Sequence, residues 1–436
     1  MDPMKPGHGP ASSWNGKIKA PYIMVPAPYF NLFGLISGGF SILVLAAFFS
    51  TKIRDSRLWT IVVTPLASII GSGFLIAAPL LYQNFGRYHL LAIIVINAFA
   101  LCVGWVLNTN IHYFEPLLND GNGHAKLLRG IERGSSIILG VSYIISVGFY
   151  LSLLSAFSLN IFGVDSGLGV RLISTGILIF IGLFGFLRGL HGLEGLEKIA
   201  VKVNLSVIAG VLLALILSAG YLRVNGNVRP ELSSPAFTGR SLQILAGLLL
   251  IVQGFETTRY LGKDYTPKER ARGLLVAQVI AALVYIIFVP LAAPLAVDLT
   301  QASDATVIIS IVGRAAIGLA PALSVAAIFS QFGASVADTV GTGGILEEES
   351  RGRIRRRVGY LLVAGLAAIL IWTSDIFSVL TLASRSFALY YAFQAIMASI
   401  LVYDQPEISH RKVRLILFPL LALLLLLIAI FAIPVH

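Results

Sequence analysis

The chain is short of charge. Only 12% of its 436 residues are Asp, Glu, Lys or Arg, against roughly 25% in a soluble domain. That deficit excludes a soluble enzyme, a nucleic-acid binder and a disordered chain, all of which depend on solvated charge. Cysteine is nearly absent too. The single Cys102 has no partner for an intramolecular disulfide, so a disulfide scaffold is excluded. The seven histidines, His8, His89, His112, His124, His191, His410 and His436, stand in connections or near the ends of apolar runs. They form no ligand cluster that would suit a membrane metalloenzyme. No Gly-rich loop ending in Lys-Ser or Lys-Thr is present, which argues against an ATP-driven pump. No catalytic constellation replaces them, so the chain does not read as an enzyme.

What the chain has is apolar length. Apolar residues make up 57% of it, and the mean hydropathy is +0.86. At about 20 apolar residues per crossing, this is enough for roughly twelve spans. Apolar runs at 29–50, 58–82, 88–108, 134–160, 168–187, 199–222, 241–261, 273–297, 316–346, 358–373, 376–402 and 414–433 predict those twelve. They are predicted as helices, because an unclosed sheet cannot satisfy its backbone in lipid and barrel strands would alternate polar with apolar residues. Residues 1–28 are polar, rich in Pro, Gly and Ser, and read as a flexible tail without the pattern of a secretory signal. Residues 29–436 read as one transmembrane domain.

Lys and Arg set the orientation. With the N-terminus outside, 22 of the 32 Lys and Arg residues fall in inside connections and 9 outside, leaving Arg385 within a span. The net charge of +11 is thereby explained by topology rather than by an acidic partner, and both termini are expected outside. The basic run at 351–357 reads as a solvated loop, with lipid headgroup binding as the alternative.

Two spans are interrupted by residues that suit a helix poorly. The second holds Pro65, Ser68, Gly71, Ser72, Gly73 and Pro79. The seventh gathers Gln253, Gly254, Phe255, Glu256, Thr257 and Thr258. They lie five spans apart, as in secondary transporters built from inverted repeats, where broken helices at matching positions flank the substrate. That pattern divides the chain into repeats at 58–222 and 241–402, with 29–50 and 414–433 as extra helices. A helix broken at Gly71-Ser72-Gly73 would point backbone N–H groups at a carboxylate, and the freed carbonyls would suit an ammonium group or a cation. Small residues are also common packing devices between membrane helices, and that reading stands beside the first.

These two segments resemble a family. Residues 69–79, IIGSGFLIAAP, look like the first core helix of the amino acid–polyamine–organocation (APC) transporters. Residues 253–278, QGFETTRYLGKDYTPKERARGLLVAQ, look like that family's sixth core helix and the loop after it. The resemblance runs in order and spacing over about 58–402. It implies the five-plus-five inverted-repeat fold, also called LeuT-like, and secondary active transport in an inner or plasma membrane. Substrate would bind between the two interrupted helices. The extra N-terminal span and the pair Arg259-Tyr260 after the Gly-Phe-Glu turn depart from the family pattern.

Ionisable residues within spans are costly and therefore mark function. The resemblance makes Glu256 a candidate proton or gating group; capping of the broken helix is the alternative. Asp338, flanked by Ser335 and Thr339, offers oxygen ligands for a hard cation; coupling through it to a proton or sodium ion stands beside a structural ion pair as the other reading, and no other cofactor is implied. Arg385 is expected to pair with Glu256 or Asp338, or to meet an anionic substrate. Lys202 and Arg259 are expected to snorkel or anchor at helix ends. Tyr143 and Tyr150, seven apart, share a helix face and are candidates for substrate contact or packing. The expected function is proton-coupled transport of an amino acid or related amine by alternating access. The rivals are a same-fold transporter of an organic anion or inorganic ion, favoured by Arg385 and Arg259, and a ligand-binding sensor without transport. The partners are a small molecule and the bilayer, with no nucleic acid. Oligomeric state is open.

Overall fold

The computed structural model describes residues 25–54, 56–114, 123–225, 238–296 and 307–432. Residues 1–24 of the tail expected at 1–28 lie outside the described residues. Nine stretches of the described residues are long and apolar enough to cross a membrane. Two of them, Arg57–Phe114 and Gly167–Val224, are 58 residues each. A straight helix of that length would reach roughly 87 Å, far beyond one bilayer, and both turn back. The first reverses at Gly86 (φ 49°) and the second bends at Gly189 (φ 69°).

The long helices are α1 (Ala27–Phe49), α2 (Arg57–Phe85), α3 (His89–Thr109), α4 (Gly123–Ile161), α5 (Gly167–Val224, in two arms), α6 (Gly239–Gly247), α7 (Pro267–Ala292), α8 (Leu319–Glu349), α9 (Arg356–Thr373), α10 (Ile376–Asp404) and α11 (Arg411–Phe431). With α5 counted as two arms, and α6 with the 3-10 turns after it as one interrupted crossing, twelve segments result. Their order matches the twelve apolar runs.

Local chemistry accounts for several helix starts. The Ser56 side chain accepts from the Trp59 amide and caps α2. Thr266 and Glu269 form a capping box with Pro267 at the first position of α7, which satisfies otherwise free N–H groups. Arg57 clips the two helix starts together through Glu269, Nε to Oε1 at 2.6 Å.

Burial separates a centre from a rim. The apolar windows of α4, α8 and α10 are 78%, 61% and 61% buried, whereas those of α1 and α9 are 11% and 28%. A helix apolar on all sides and buried on few is one that faces lipid. The first span, α1, therefore lies outside the core. It leans on the second arm of α5, where the Tyr29 ring meets that of Tyr221 at a tilt of 38° with centroids 4.7 Å apart.

The two interrupted spans differ. The seventh is broken as expected: α6 tightens into a 3-10 turn at Leu248–Val252, loses helical form at Gln253-Gly254, and resumes as a 3-10 helix at Phe255–Asp264. The second is not broken. Helix α2 runs unbroken from Arg57 to Phe85 through Gly71, Ser72 and Gly73, with Pro65 and Pro79 inside it. The physical reason is contact: the glycines are spent on close helix packing. A Cβ on Gly71 would strike the Ala334 side chain of α8, and one on Gly73 would lie 2.6 Å from the Ile251 Cα. Gly73→Ala is accordingly expected to force α2 away from the 3-10 turn at a cost of about 1–3 kcal/mol. It would be read as a lower thermal midpoint of the purified protein; an unchanged midpoint would mean this contact is loose.

Candidate functional site

The site forms where α2, α4, α8 and α10 surround the break at Gly254. Gly254 has φ 121°, a conformation open to glycine and strained for other residues. Space enforces the same choice. A Cβ there would lie 2.5 Å from Ser68 Oγ and 2.7 Å from the Ile69 amide nitrogen. The broken segment thus seats its backbone directly on α2.

Beside the break lies Glu256, wholly buried. Its Oε2 accepts from the Gly254 N–H at 3.0 Å and from the Tyr391 hydroxyl at 2.6 Å. Phe255 stacks on the same Tyr391 ring, centroids 5.4 Å apart and planes 10° from parallel. Gln253 donates to the Tyr150 hydroxyl at 2.8 Å, and the Thr257 hydroxyl returns to the Gly254 carbonyl at 2.7 Å.

The second carboxyl is Asp338 on α8, also wholly buried. Its Oδ1 accepts from the Ser68 hydroxyl at 3.4 Å, and Asp338 lies within electrostatic reach of Glu256. One serine thus touches both halves of the site: it holds Asp338 and packs under Gly254. Ser335 and Thr339 donate their hydroxyls to the Gln331 and Ser335 carbonyls of their own helix, each at 2.7 Å. Tyr143 is buried on α4 with its ring edge-on to Phe387 at 5.9 Å. The Ser72 side chain lies outside the described residues.

The ion pair expected for Arg385 is not formed, and Arg259 anchors rather than snorkels. Arg385 meets neither Glu256 nor Asp338. Its Nε and Nη2 donate to the Ala432 carbonyl at 3.1 and 2.7 Å. Ala432 is the cap residue of α11, and a helix C-terminus offers free carbonyls and about half a negative charge. Arg259 does not snorkel; only 7% of it is exposed. Its Nη2 pairs with Glu132 Oε1 of α4 at 3.0 Å, and its Nη1 bonds the Gln394 side chain of α10. Gln394 in turn donates to Glu132 Oε2 at 3.0 Å. This knot ties the segment after the break to two flanking helices. Lys202 lies over the Phe49 ring, 4.6 Å from its centroid.

Several residues of the site lie outside the two interrupted motifs. Tyr391 and Gln394 are polar groups within an apolar run, and that polarity is the signal that could have found them. Tyr285 of α7 donates to the Ile251 carbonyl at 2.7 Å and the Ile69 carbonyl at 3.1 Å, bridging the break to α2. Gln331 of α8 donates to the Gly71 carbonyl at 2.9 Å. Beside the break opens a small cleft lined by Phe99, Val103, Gln253, Phe255, Phe387 and Tyr391, among others. Among the described residues no group of three or more His, Cys, Asp or Glu could hold a metal ion.

Comparison with known proteins supplies the relatives. A family described as an APC superfamily transporter matches residues 51–432, a range that leaves α1 outside. An uncharacterized protein of Aquifex aeolicus (strain VF5) is 40% identical over 390 residues, covering 88% of this chain and 94% of its own. A solved structure, that of a point mutant of the manganese transporter of Eremococcus coleocola, shares the fold with a TM-score of 0.57 at 14% identity, over 85% of each chain.

Proposed function

The chain belongs to the APC superfamily of transporters, and from that premise we propose that it carries an amino acid or related amine by alternating access, coupled to protons. It is a multi-pass membrane protein, and its cargo is a small molecule. In this reading the cargo binds at the Gly254 break, between that segment and α2, in an inner or plasma membrane with both termini outside.

One observation carries the reading. Glu256 and Asp338 are both wholly buried and within electrostatic reach of each other, and their hydrogen-bond partners are hydroxyls and a backbone N–H. Arg259 and Arg385 spend their charge elsewhere. Burying carboxylates without counter-charge is costly. The missing positive charge is then a proton on one carboxyl and the ammonium group of the cargo near the other. The aromatic lining of the adjoining cleft suits an apolar side chain. The anion-transport alternative loses the two arginines that favoured it.

Carboxyl oxygens also suit a hard divalent cation, and the structural neighbour is a manganese transporter. The test therefore offers both cargoes. Purified protein in proteoliposomes is given labelled amino acids and amines, with manganese in parallel, under an inward proton gradient. Uptake of an amino acid or amine that collapses without the gradient is the expected result. Manganese uptake alone, or no uptake of any cargo by folded protein, would overturn the proposal.

A further inference from the structure

A third buried carboxyl stands on the route between this site and the edge of the bundle. Glu197, in the second arm of α5, is 2% exposed. Thr64 of α2 stands next to it, and Asp338 lies within electrostatic reach. Thr64 and Ser68 are one helical turn apart on α2, about 6 Å in rise; Ser68 holds Asp338, and Thr64 stands next to Glu197. The carboxyls are thus stepped along one face of α2. Glu194, three residues before Glu197 and on the same side of the helix, has a side chain 35% exposed and lies within electrostatic reach of Glu197. From the surface inward the acids run Glu194, Glu197, Asp338, Glu256.

Each middle member has an oxygen to spare. Glu197 Oε1 and Asp338 Oδ2 are buried and have no hydrogen-bond partner among the described residues. An orphaned carboxyl oxygen is costly if nothing ever visits it. The groups that face Glu197 are Glu194 and Lys198 on its own element, Thr64 on α2 and Asp338 on α8.

Resting on the reading of the site as proton-coupled, we propose that Glu197 is the relay through which the coupling proton passes between Asp338 and the Lys- and Arg-rich surface at Glu194. In the transfer the O–H bond on Asp338 breaks and one forms on Glu197, directly or through a water molecule. The proton then leaves past Glu194. No oxidant or reductant is involved. Intramembrane carboxyls arranged in series are the usual form of such a path.

Two measurements on the full chain test this, one of them independent of cargo. In reconstituted protein, infrared spectroscopy follows hydrogen–deuterium exchange of the protonated Asp338 carboxyl, whose band is identified by its loss in Asp338→Asn. Glu197→Gln is expected to slow that exchange by about tenfold or more, with Glu197→Asp close to the native rate. In proteoliposomes offered the same labelled amino acids and amines, Glu197→Gln is expected to cut pH-driven uptake about tenfold. Exchange of cargo at equal pH on both sides should survive. An unchanged Asp338 exchange rate overturns the relay. So does a loss of equal-pH exchange as deep as that of pH-driven uptake, which would mark Glu197 as structural. If the native protein shows no pH-driven uptake, the proton-coupled reading fails by itself, and the infrared result still decides whether Glu197 serves Asp338.

Discussion

Glu256→Gln abolishes pH-driven accumulation while the protein still folds: that is the expected result, with a loss of about 100-fold or more. The substitution keeps the size of the side chain. Both donors that now meet Oε2, the Gly254 N–H and the Tyr391 hydroxyl, can donate equally to an amide oxygen. What disappears is the capacity to hold or release a proton beside the break. Thermal midpoint and uptake are measured on the same preparation. Native accumulation in the variant would remove Glu256 from the coupling path and leave it the lesser role of tying Gly254 to α10. A loss of both midpoint and uptake would point to that structural role as well.

The contrast between the two interrupted spans shows what sequence could and could not carry. Gly71-Ser72-Gly73 and Gln253-Gly254 look alike as interruptions of apolar runs. Whether glycine breaks a helix or packs it depends on what approaches from outside. Ala334 and Ile251 close on α2 at the first pair of glycines and keep it helical, whereas the Ser68–Ile69 backbone meets Gly254 where φ is already positive. Neither neighbour is near in sequence. The helix α7 starts six residues before the run expected at 273–297, and its capping residues Thr266, Pro267 and Glu269 are local signals that could have placed that start.

Apolarity also hides functional residues. Glu132 and Glu197 fall outside the apolar runs, and by hydropathy alone they belong to the connections. The helices continue past the points where apolarity stops, and α4 begins at Gly123. Depth misleads in a different way for Arg385. Its distance along the helix places it deep, but depth says nothing about which way round the helix a side chain faces. Arg385 faces the end of α11, not the bundle centre. The family resemblance was legible because it rests on contiguous motifs at 69–79 and 253–278, and the family match at 51–432 covers both.

Arg259→Ala is expected to cost about 3–5 kcal/mol, because it leaves the Glu132 carboxylate inside the bundle without its counter-charge. The guanidinium is 5% exposed and its carboxylate partner 19%, so solvent offers little compensation. The loss should be in the same range for Glu132→Ala, which strands the guanidinium instead. If the pair is coupled, the two losses will not add. Removing both partners leaves no buried charge, and a double variant with apolar residues of similar volume, Arg259→Met with Glu132→Leu, should recover much of the loss. Denaturation of the native protein, Arg259→Met, Glu132→Leu and the double variant in the same detergent closes the cycle. Simple additivity would mean that Arg259 and Glu132 are stabilised by separate partners. The position of the pair gives the result its weight: Arg259 is three residues beyond Glu256, and Glu132 and Gln394 belong to α4 and α10, the helices that carry Tyr150 and Tyr391. A cycle that couples Arg259 to Glu132 therefore measures how firmly the segment bearing Glu256 is pinned to the two helices that line its site.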